Sequence, residues 1–172
     1  MKRVLQILFF LFFAASAIAQ TVYYVDPSGV NDAGRNGSIS QPWATASYAF
    51  SRVTTSGSII QLNNGNYAES SRWVIAPGVT ARGESEAGAI VDFTYVSSSS
   101  SDAAIYLYSS SLTNGNQSIY NLTIRGSNLT ATRAILVAYR YNVSIHDVTI
   151  RDFAATGIHF KNQIDWMTPP TT

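Results

Sequence analysis

The clearest pattern in the chain is a segment of alternating apolar and polar positions that occurs twice. Residues 118–126, SIYNLTIRG, return as residues 144–152, SIHDVTIRD, with a period of 26 residues and no gap. Within the first copy, Leu122-Thr123-Ile124-Arg125 alternates with a period of two, which predicts a strand and not a helix. A fixed period of this size is typical of repeat architectures, in which each unit stacks on the one before.

A second strand type has a small residue before an apolar pair, and it occurs at 104–107, 134–137 and 157–160. These spacings leave no room for a crossover helix, so each turn of chain is expected to lie parallel on the previous turn, about 4.8 Å away. The pattern therefore predicts an all-β fold, a parallel β-helix solenoid. The residues expected to face its shared core are Ile119, Leu122, Ile124, Ile145, Val148, Ile150, Ile158 and Phe160.

One earlier segment has a helical period. Ala46, Ala49, Phe50 and Val53 lie on one face of a helix predicted over residues 44–54. Because the exposed edges of a first coil would recruit other strands, we expect this helix to cap the N-terminal end of the solenoid.

The first 19 residues have the pattern of a secretory signal peptide. Lys2 and Arg3 precede an apolar run over 4–15, and Ala17-Ile18-Ala19 has the small residues of a cleavage site. The run is shorter than the roughly 20 residues of a membrane span. We therefore expect a secreted protein, located outside the cell or at its surface, with the bacterial periplasm as the alternative.

The chain divides into four predicted parts. They are a signal peptide at 1–19, a strand, loop and capping helix at 20–57, the coils at 58–161 and an irregular tail at 162–172. The tail has neither the repeat nor a helical cap pattern. The chain is therefore interpreted as the N-terminal part of a longer solenoid, cut off after about four coils.

Composition narrows the choice of partner. The chain has no cysteine, and charged residues make up only 12%, against a usual fraction of about 25%. Removal of Lys2 and Arg3 with the signal peptide changes the formal charge from +1 to −1. This balance gives no reason to expect nucleic acid as a partner. It suits neutral, hydroxyl-rich ligands or a structural role, with no membrane contact after signal cleavage.

Three segments together carry a resemblance to a known family. They are YYVDPSG at 23–29 with QPWAT at 41–45, GSIIQL at 57–62 with GNY at 65–67, and PGVTARG at 77–83. In this order they resemble the N-terminal region of secreted right-handed parallel β-helix proteins of the pectin-lyase-like superfamily. The resemblance implies a right-handed helix. It does not choose among the superfamily's lyases, hydrolases, epimerases and adhesins. Residues 79–83, VTARG, are also interpreted as an imperfect forerunner of LTIRG at 122–126.

The candidate site residues follow from what a polysaccharide lyase would need. It requires a base to remove a proton beside a uronate carboxylate and a cation to neutralise that carboxylate. In similar lyases the base is often Lys or Arg, and the cation is calcium. Calcium enters here only through this resemblance, since the residues themselves indicate no cofactor. Outward positions on the strands predict a basic patch with neighbouring carboxylates, formed by Arg125, Arg151, His159, Lys161, Asp147 and Asp152. The alternative is that these are solvated positions on successive coils.

Two other groups of polar residues suggest chemistry less strongly. Asp147 and Asp152 are the carboxylates closest together in the repeat, and a glycoside hydrolase needs such a pair. Asp26, Asn31 and Asp32 superficially suggest calcium, but without the EF-hand spacing they are interpreted as capping a turn.

Two functions remain open at this stage. One is a non-catalytic secreted β-helix that interacts with polysaccharide or serves as a surface adhesin. The other is a polysaccharide lyase or glycoside hydrolase whose active groove lies mostly in later coils, so that this segment alone is inactive. Self-association through the open C-terminal edge is a further expectation.

Overall fold

The computed structural model of the protein describes residues 20–95, 102–127 and 133–161. The predicted signal peptide at 1–19 and tail at 162–172 lie outside these residues. The described chain is mostly strand, joined in one sheet, with one helix. The elements are β1 Val22–Val25, α1 Ala46–Arg52, β2 Ile59–Leu62, β3 Gly65–Glu69, β4 Trp73–Val74, β5 Thr80–Gly83, β6 Ala89–Phe93, β7 Ala103–Arg125, β8 Arg133–Arg151 and β9 Ile158–Lys161.

Every strand pairing among the described residues is parallel, and the pairings form three ladders. The first ladder joins β1, β2, β5, residues 119–120 of β7 and residues 145–146 of β8. The second joins β3, β6, 123–125 of β7 and 149–151 of β8. The third joins β4, 105–106 of β7, 135–138 of β8 and β9. Both long strands, β7 and β8, pass through the third, first and second ladders in that order.

The sequence repeat is a structural repeat in register. Ile119 pairs with Ile145 and Ile124 pairs with Ile150, which are the partners that the 26-residue period predicts. Alternate residues of each strand point to opposite faces, so in-register stacking keeps one apolar face inward on every rung. The prediction of an all-β chain built from stacked parallel strands is confirmed.

A core side chain is fully buried where neighbouring strands of the ladder lie on both sides of its own strand. Ile119, Leu122 and Ile124 are fully buried. On the next rung, the corresponding residues Ile145, Val148 and Ile150 are half-buried and pack against the core.

The prediction is wrong for the last rung. Ile158 and Phe160 pair with the buried Ile135 and Val137, yet they are 37% and 55% exposed. They stand on β9, and among the described residues no strand pairs with its other edge. An inward direction buries a side chain only when a further layer covers it.

The predicted helix is confirmed, with narrower bounds than 44–54. Thr45 caps α1, its hydroxyl accepting from the backbone N–H of Tyr48 at 3.4 Å. The helix lies against β1, β2 and β4 at the N-terminal end of the ladders. Phe50 is 2% exposed, and its ring centroid lies 5.1 Å from that of the buried Trp73.

A fully buried carboxylate fastens this helix to the second ladder. Glu69, at the end of β3, is 0% exposed and accepts a hydrogen bond from the backbone N–H of Ala46 at 2.6 Å. It also accepts from the N–H of Ser47 at 3.3 Å. The first N–H groups of a helix have no partner within the helix, so this carboxylate satisfies them. Burial raises the pKa of Glu69 because it disfavours the charged form.

A buried guanidinium holds the corner between the third and first ladders. Arg140 is 3% exposed, and its Nη1 donates to the carbonyl of Ile75 at 2.6 Å and to Oε1 of Gln117 at 3.0 Å. Its Nη2 donates to the carbonyl of Tyr108, and its Nε donates to Oγ of Ser109 at 3.0 Å. Burial lowers the pKa of Arg140 to about 10, so the group remains charged at neutral pH.

Replacement of Phe50 tests the packing of the helix. Phe50→Ala is expected to lower the free energy of unfolding by roughly 3–5 kcal/mol, because a buried aromatic ring is lost and a cavity remains. The measurement is urea denaturation. Ser51→Ala is the matched control, since Ser51 is exposed on the same helix, and it should change stability by about 0.5 kcal/mol or less. Equal effects of the two substitutions would contradict the packing described for α1.

Replacement of Glu69 separates its hydrogen bonds from its charge. Glu69→Ala leaves helix N–H groups without a partner and should cost about 1–3 kcal/mol. Glu69→Gln keeps an acceptor oxygen and removes the buried charge, so it should be as stable as the wild type, or more stable, at pH 7.

The pH dependence of the Glu69→Gln comparison has a fixed sign. Because the pKa of Glu69 is raised in the folded state, the wild type gains stability relative to the Gln variant as pH falls through that pKa. Urea titrations of both proteins across the acidic range measure this difference. If the stability of the Gln variant relative to the wild type increased as pH fell, the raised pKa of Glu69 would be refuted.

Candidate functional site

The outer side of the first ladder carries a continuous row of polar and aromatic side chains. Tyr24 pairs with Gln61, Gln61 with Arg82, Arg82 with Tyr120, and Tyr120 with His146. These five residues, called here the ladder row, occupy one register position on five successive strands. The flanking residues Ile60, Leu62, Ala81 and Ile119 are fully buried and point inward, so the row lies on the outer side of the ladder, where Gln61 is itself only 7% exposed.

Direct contacts order the row. Nε of Arg82 donates to Oε1 of Gln61. The rings of Tyr120 and His146 are stacked, with centroids 4.9 Å apart and planes at 10°. The stacked residues are one 26-residue period apart, so the repeat brings these two rings together. The row therefore combines flat aromatic surface with amide and guanidinium donors.

A second set of polar residues lies at the corner that follows the first ladder. Asn63 donates through Nδ2 to the carboxylate of Asp26 at 2.9 Å, and Glu84 accepts from the backbone N–H of Asn64 at 2.8 Å. Asn121 and Asp147 continue this corner with φ angles of 57° and 51°. Asn and Asp adopt this left-handed conformation more readily than other residues with a side chain.

The ladder row and this corner border an open groove of about 520 Å³. Its lining is Tyr24, Ile39, Gln61, Asn63, Arg82, Gly83, Glu84, Tyr120 and Asn121. The lining has one cation, Arg82, and one anion, Glu84, so its charges balance. Aromatic walls with a few fixed polar groups are typical of ligand sites.

The structure separates the predicted basic patch into two places. Arg125 and Arg151 are stacked on the outer side of the second ladder, as predicted. Arg125 forms a two-point ion pair with Asp92. Nε of Arg151 lies 3.9 Å from Oδ2 of Asp152.

The other two members of that patch are on the third ladder. His159 pairs with Leu136, and Lys161 pairs with Ala138. They are therefore on a different ladder from Arg151 and do not form one patch with it. The prediction treated successive strands along the chain as neighbours in space, whereas the strands that pair in a ladder are separated in sequence by strands of the other ladders.

Asp147 and Asp152 are likewise not brought together. Asp147 lies at the corner before the second ladder, where a carboxylate oxygen is 2.8 Å from Nδ1 of His146. Asp152 lies beyond the far end of the same strand segment. Five residues of extended chain span about 16 Å, which exceeds the 6.5–9.5 Å of an inverting carboxylate pair.

The turn interpretation of Asp26, Asn31 and Asp32 agrees with the hydrogen bonds. Asp26 accepts from the backbone N–H of Ser28 at 2.9 Å, and Asp32 accepts from that of Gly34 at 2.6 Å. Oδ1 of Asn31 accepts from the N–H of Ala44 at 2.9 Å. The described residues contain no group of three or more His, Cys, Asp or Glu side chains arranged to hold a metal ion.

Sequence reasoning missed most of the ladder row. The forerunner alignment of 79–83 with 122–126 placed Arg82 in the position of Arg125. The structure instead pairs Arg82 with Tyr120, and Arg125 with Asp92. VTARG and LTIRG are therefore alike in sequence, but their strands belong to different ladders. Alternation in 80–83 was the available signal, but that strand is only four residues long, and 59–62 is buried at every position.

Comparison of the chain with known protein families, with curated proteins and with solved structures finds no match. Within the described residues, no helix has both the length and the apolar character needed to cross a membrane.

Proposed function

We propose that this chain is part of a secreted right-handed parallel β-helix protein that binds polysaccharide through the ladder row and its groove. The β-helix is supported by the three parallel ladders and by the order in which β7 and β8 pass through them. Secretion is supported by the signal pattern of residues 1–19. The resemblance to the pectin-lyase-like superfamily agrees with both.

The observation that carries the binding proposal is the alignment of five side chains at one register position, four of them more exposed than the buried Gln61. Tyr24 and Tyr120 stand three rungs apart, which is about 14 Å at the spacing of parallel strands. Gln61 and Arg82 lie between them. An extended sugar chain lying across the rungs would pack its C–H groups on Tyr24 and on the outer edge of Tyr120, whose ring face is stacked on His146, and would place its hydroxyls against the guanidinium of Arg82 and the tyrosine hydroxyls.

The charge of the groove favours a neutral glycan. Arg82 is hydrogen-bonded to Gln61, and Glu84 is hydrogen-bonded to the backbone at Asn64. A polyanion would meet Glu84 as well as Arg82. A neutral sugar has no such penalty, and the row offers donors and acceptors for its hydroxyls.

Binding is better supported than cleavage in this part of the chain. Asp26 and Glu84 both accept hydrogen bonds at the corner, which holds them in place for structure. Asp147 and Asp152 stand at opposite ends of a strand segment. A polysaccharide lyase or hydrolase remains the alternative for the parent protein, and it is tested by the same experiment.

The experiment compares wild-type protein with Tyr120→Ala on a panel of soluble neutral β-glucan, galactomannan and xylan, with polygalacturonate and alginate as acidic members. We expect saturable binding to a neutral member. Tyr120→Ala should weaken it roughly tenfold, the scale of an aromatic contact contributing about 1.4 kcal/mol. Affinity is measured by isothermal titration calorimetry, and the same samples are assayed for new reducing ends and unsaturated products.

Tyr141→Ala is the matched control, since Tyr141 is 49% exposed and lies outside the groove. It should bind as the wild type does. Binding that is equally weakened by Tyr141→Ala, or binding to acidic members alone, would refute the proposed role of the ladder row. Product formation by the wild type would establish the enzyme alternative.

A further inference from the structure

The chain contains three Asn-Gly dipeptides, at 36–37, 64–65 and 114–115. This dipeptide is prone to a reaction in which the backbone nitrogen of glycine attacks the side-chain amide of the asparagine before it. Glycine favours the reaction because it has no Cβ to obstruct the approach. All three asparagines are exposed, so access to water does not distinguish them. Their hydrogen bonds do.

Asn36 lies in a turn that folds its side chain back over the peptide bond to Gly37. Its Oδ1 accepts a hydrogen bond from the backbone N–H of Ser38 at 3.0 Å, which is the pattern of an Asx turn. The same N–H would stabilise the negative charge that develops on Oδ1 when a nucleophile adds to Cγ. That nucleophile is available, because the N–H of Gly37 forms no hydrogen bond within the described part of the chain.

The dipeptide at 64–65 is held in a way that opposes the reaction. The N–H of Gly65 donates to the carbonyl of Gly88 at 2.8 Å, so the nitrogen is already committed to a neighbouring segment. Oδ1 of Asn64 accepts from the hydroxyl of Ser85 at 2.8 Å. Both reacting groups would have to break a hydrogen bond before they could meet.

The dipeptide at 114–115 is held by the sheet. Asn114 lies inside β7 and pairs with Tyr141 of β8. Its Oδ1 accepts from Nδ2 of Asn142 at 3.2 Å. Closure of a ring onto the next residue would require this part of β7 to leave its partner strand. Residues 36–37, in contrast, lie outside the strands and the helix, so no ladder has to open there.

We propose that Asn36 is a site of spontaneous deamidation and isomerisation. The N–H of Gly37 loses its proton to hydroxide, and the nitrogen forms a bond to Cγ of Asn36. The bond between Cγ and Nδ2 then breaks, and ammonia leaves with a proton taken from water. Water opens the resulting succinimide ring at either carbonyl carbon, which gives aspartate or isoaspartate. The reaction does not depend on polysaccharide binding.

Isoaspartate at this position would disturb the start of the first ladder, because it lengthens the main chain by a methylene group. The carbonyls on both sides of the site are tethered. That of Arg35 accepts from Nε1 of Trp43 at 3.1 Å, and that of Gly37 accepts from the N–H of Tyr24 at 2.7 Å. A Cβ added to Gly37 would lie 2.7 Å from the Trp43 ring, so an extra atom has little room. We therefore expect the modified protein to be less stable.

Peptide mapping of the incubated full chain measures the three sites separately. Trypsin cleaves after lysine and arginine, and it places the three dipeptides in the peptides 36–52, 53–72 and 83–125. The folded protein is incubated at mildly alkaline pH and digested at mildly acidic pH, where the reaction is slow. Mass spectrometry and enzymatic methylation of isoaspartate report the conversion. Asn36 should convert roughly tenfold faster than the other two sites, which must first open locally.

The same protein in concentrated urea is the control. Without the fold, the three sites share the same reacting dipeptide and should convert at similar rates. Equal rates at the three sites in the folded protein, or the same preference for Asn36 in urea, would overturn the inference.

Asn36→Ser separates the modification from other effects of incubation. Serine retains an oxygen that can accept from the N–H of Ser38, but it has no amide to react. After equal incubation, urea denaturation should show a lower free energy of unfolding for the wild type and an unchanged value for Asn36→Ser. Converted wild-type protein with the stability of fresh protein, or an equal loss in both proteins, would overturn the predicted disturbance of β1.

Discussion

Parallel pairing of strands in register is the constraint on which the rest of this structure depends. Within each ladder, neighbouring strands hydrogen-bond in parallel, and a shift of one residue would turn the whole inward face of a strand outward. The apolar residues therefore recur at the same register position on successive rungs, as Ile119 and Ile145 do. The same constraint arranges the outward residues in rows. The ladder row is a consequence of it.

Two buried charged groups stabilise places where the ladders alone leave polar groups without partners. Glu69 receives the first N–H groups of α1, and Arg140 donates to the carbonyls of Ile75 and Tyr108 at a corner. Neither has a buried counter-charge among these contacts. Instead, backbone N–H groups donate to the carboxylate of Glu69, and backbone carbonyls accept from the guanidinium of Arg140. These hydrogen bonds permit a charged group to be buried at each position.

The repeat made part of this architecture predictable. The 26-residue period gives the pairing of Tyr120 with His146 directly, because two copies of nearly the same segment must occupy equivalent rungs. The helical period of residues 46–53 likewise predicted α1. These signals are local and periodic, so they can be identified without knowing the path of the chain.

The remaining features depend on non-local pairing. Arg82 pairs with Tyr120 across a separation of 38 residues, and no local period encodes that partner. Exposure of Phe160 depends on what covers β9 and not on its own strand pattern. For the same reason the predicted patch of His159, Lys161 and Arg151 is divided between two ladders.

Disulfide trapping tests the register of the ladder row most directly, and the chain contains no cysteine to interfere. Arg82→Cys combined with Tyr120→Cys places two thiols on adjacent rungs, about 4.8 Å apart, within the range that a disulfide can span. Arg82→Cys combined with Arg125→Cys is the control, since these positions lie on different ladders. Mild oxidation followed by thiol alkylation and intact-mass analysis should show an intramolecular disulfide in the first protein only. A disulfide in the second protein, or none in the first, would contradict the register and with it the ladder row.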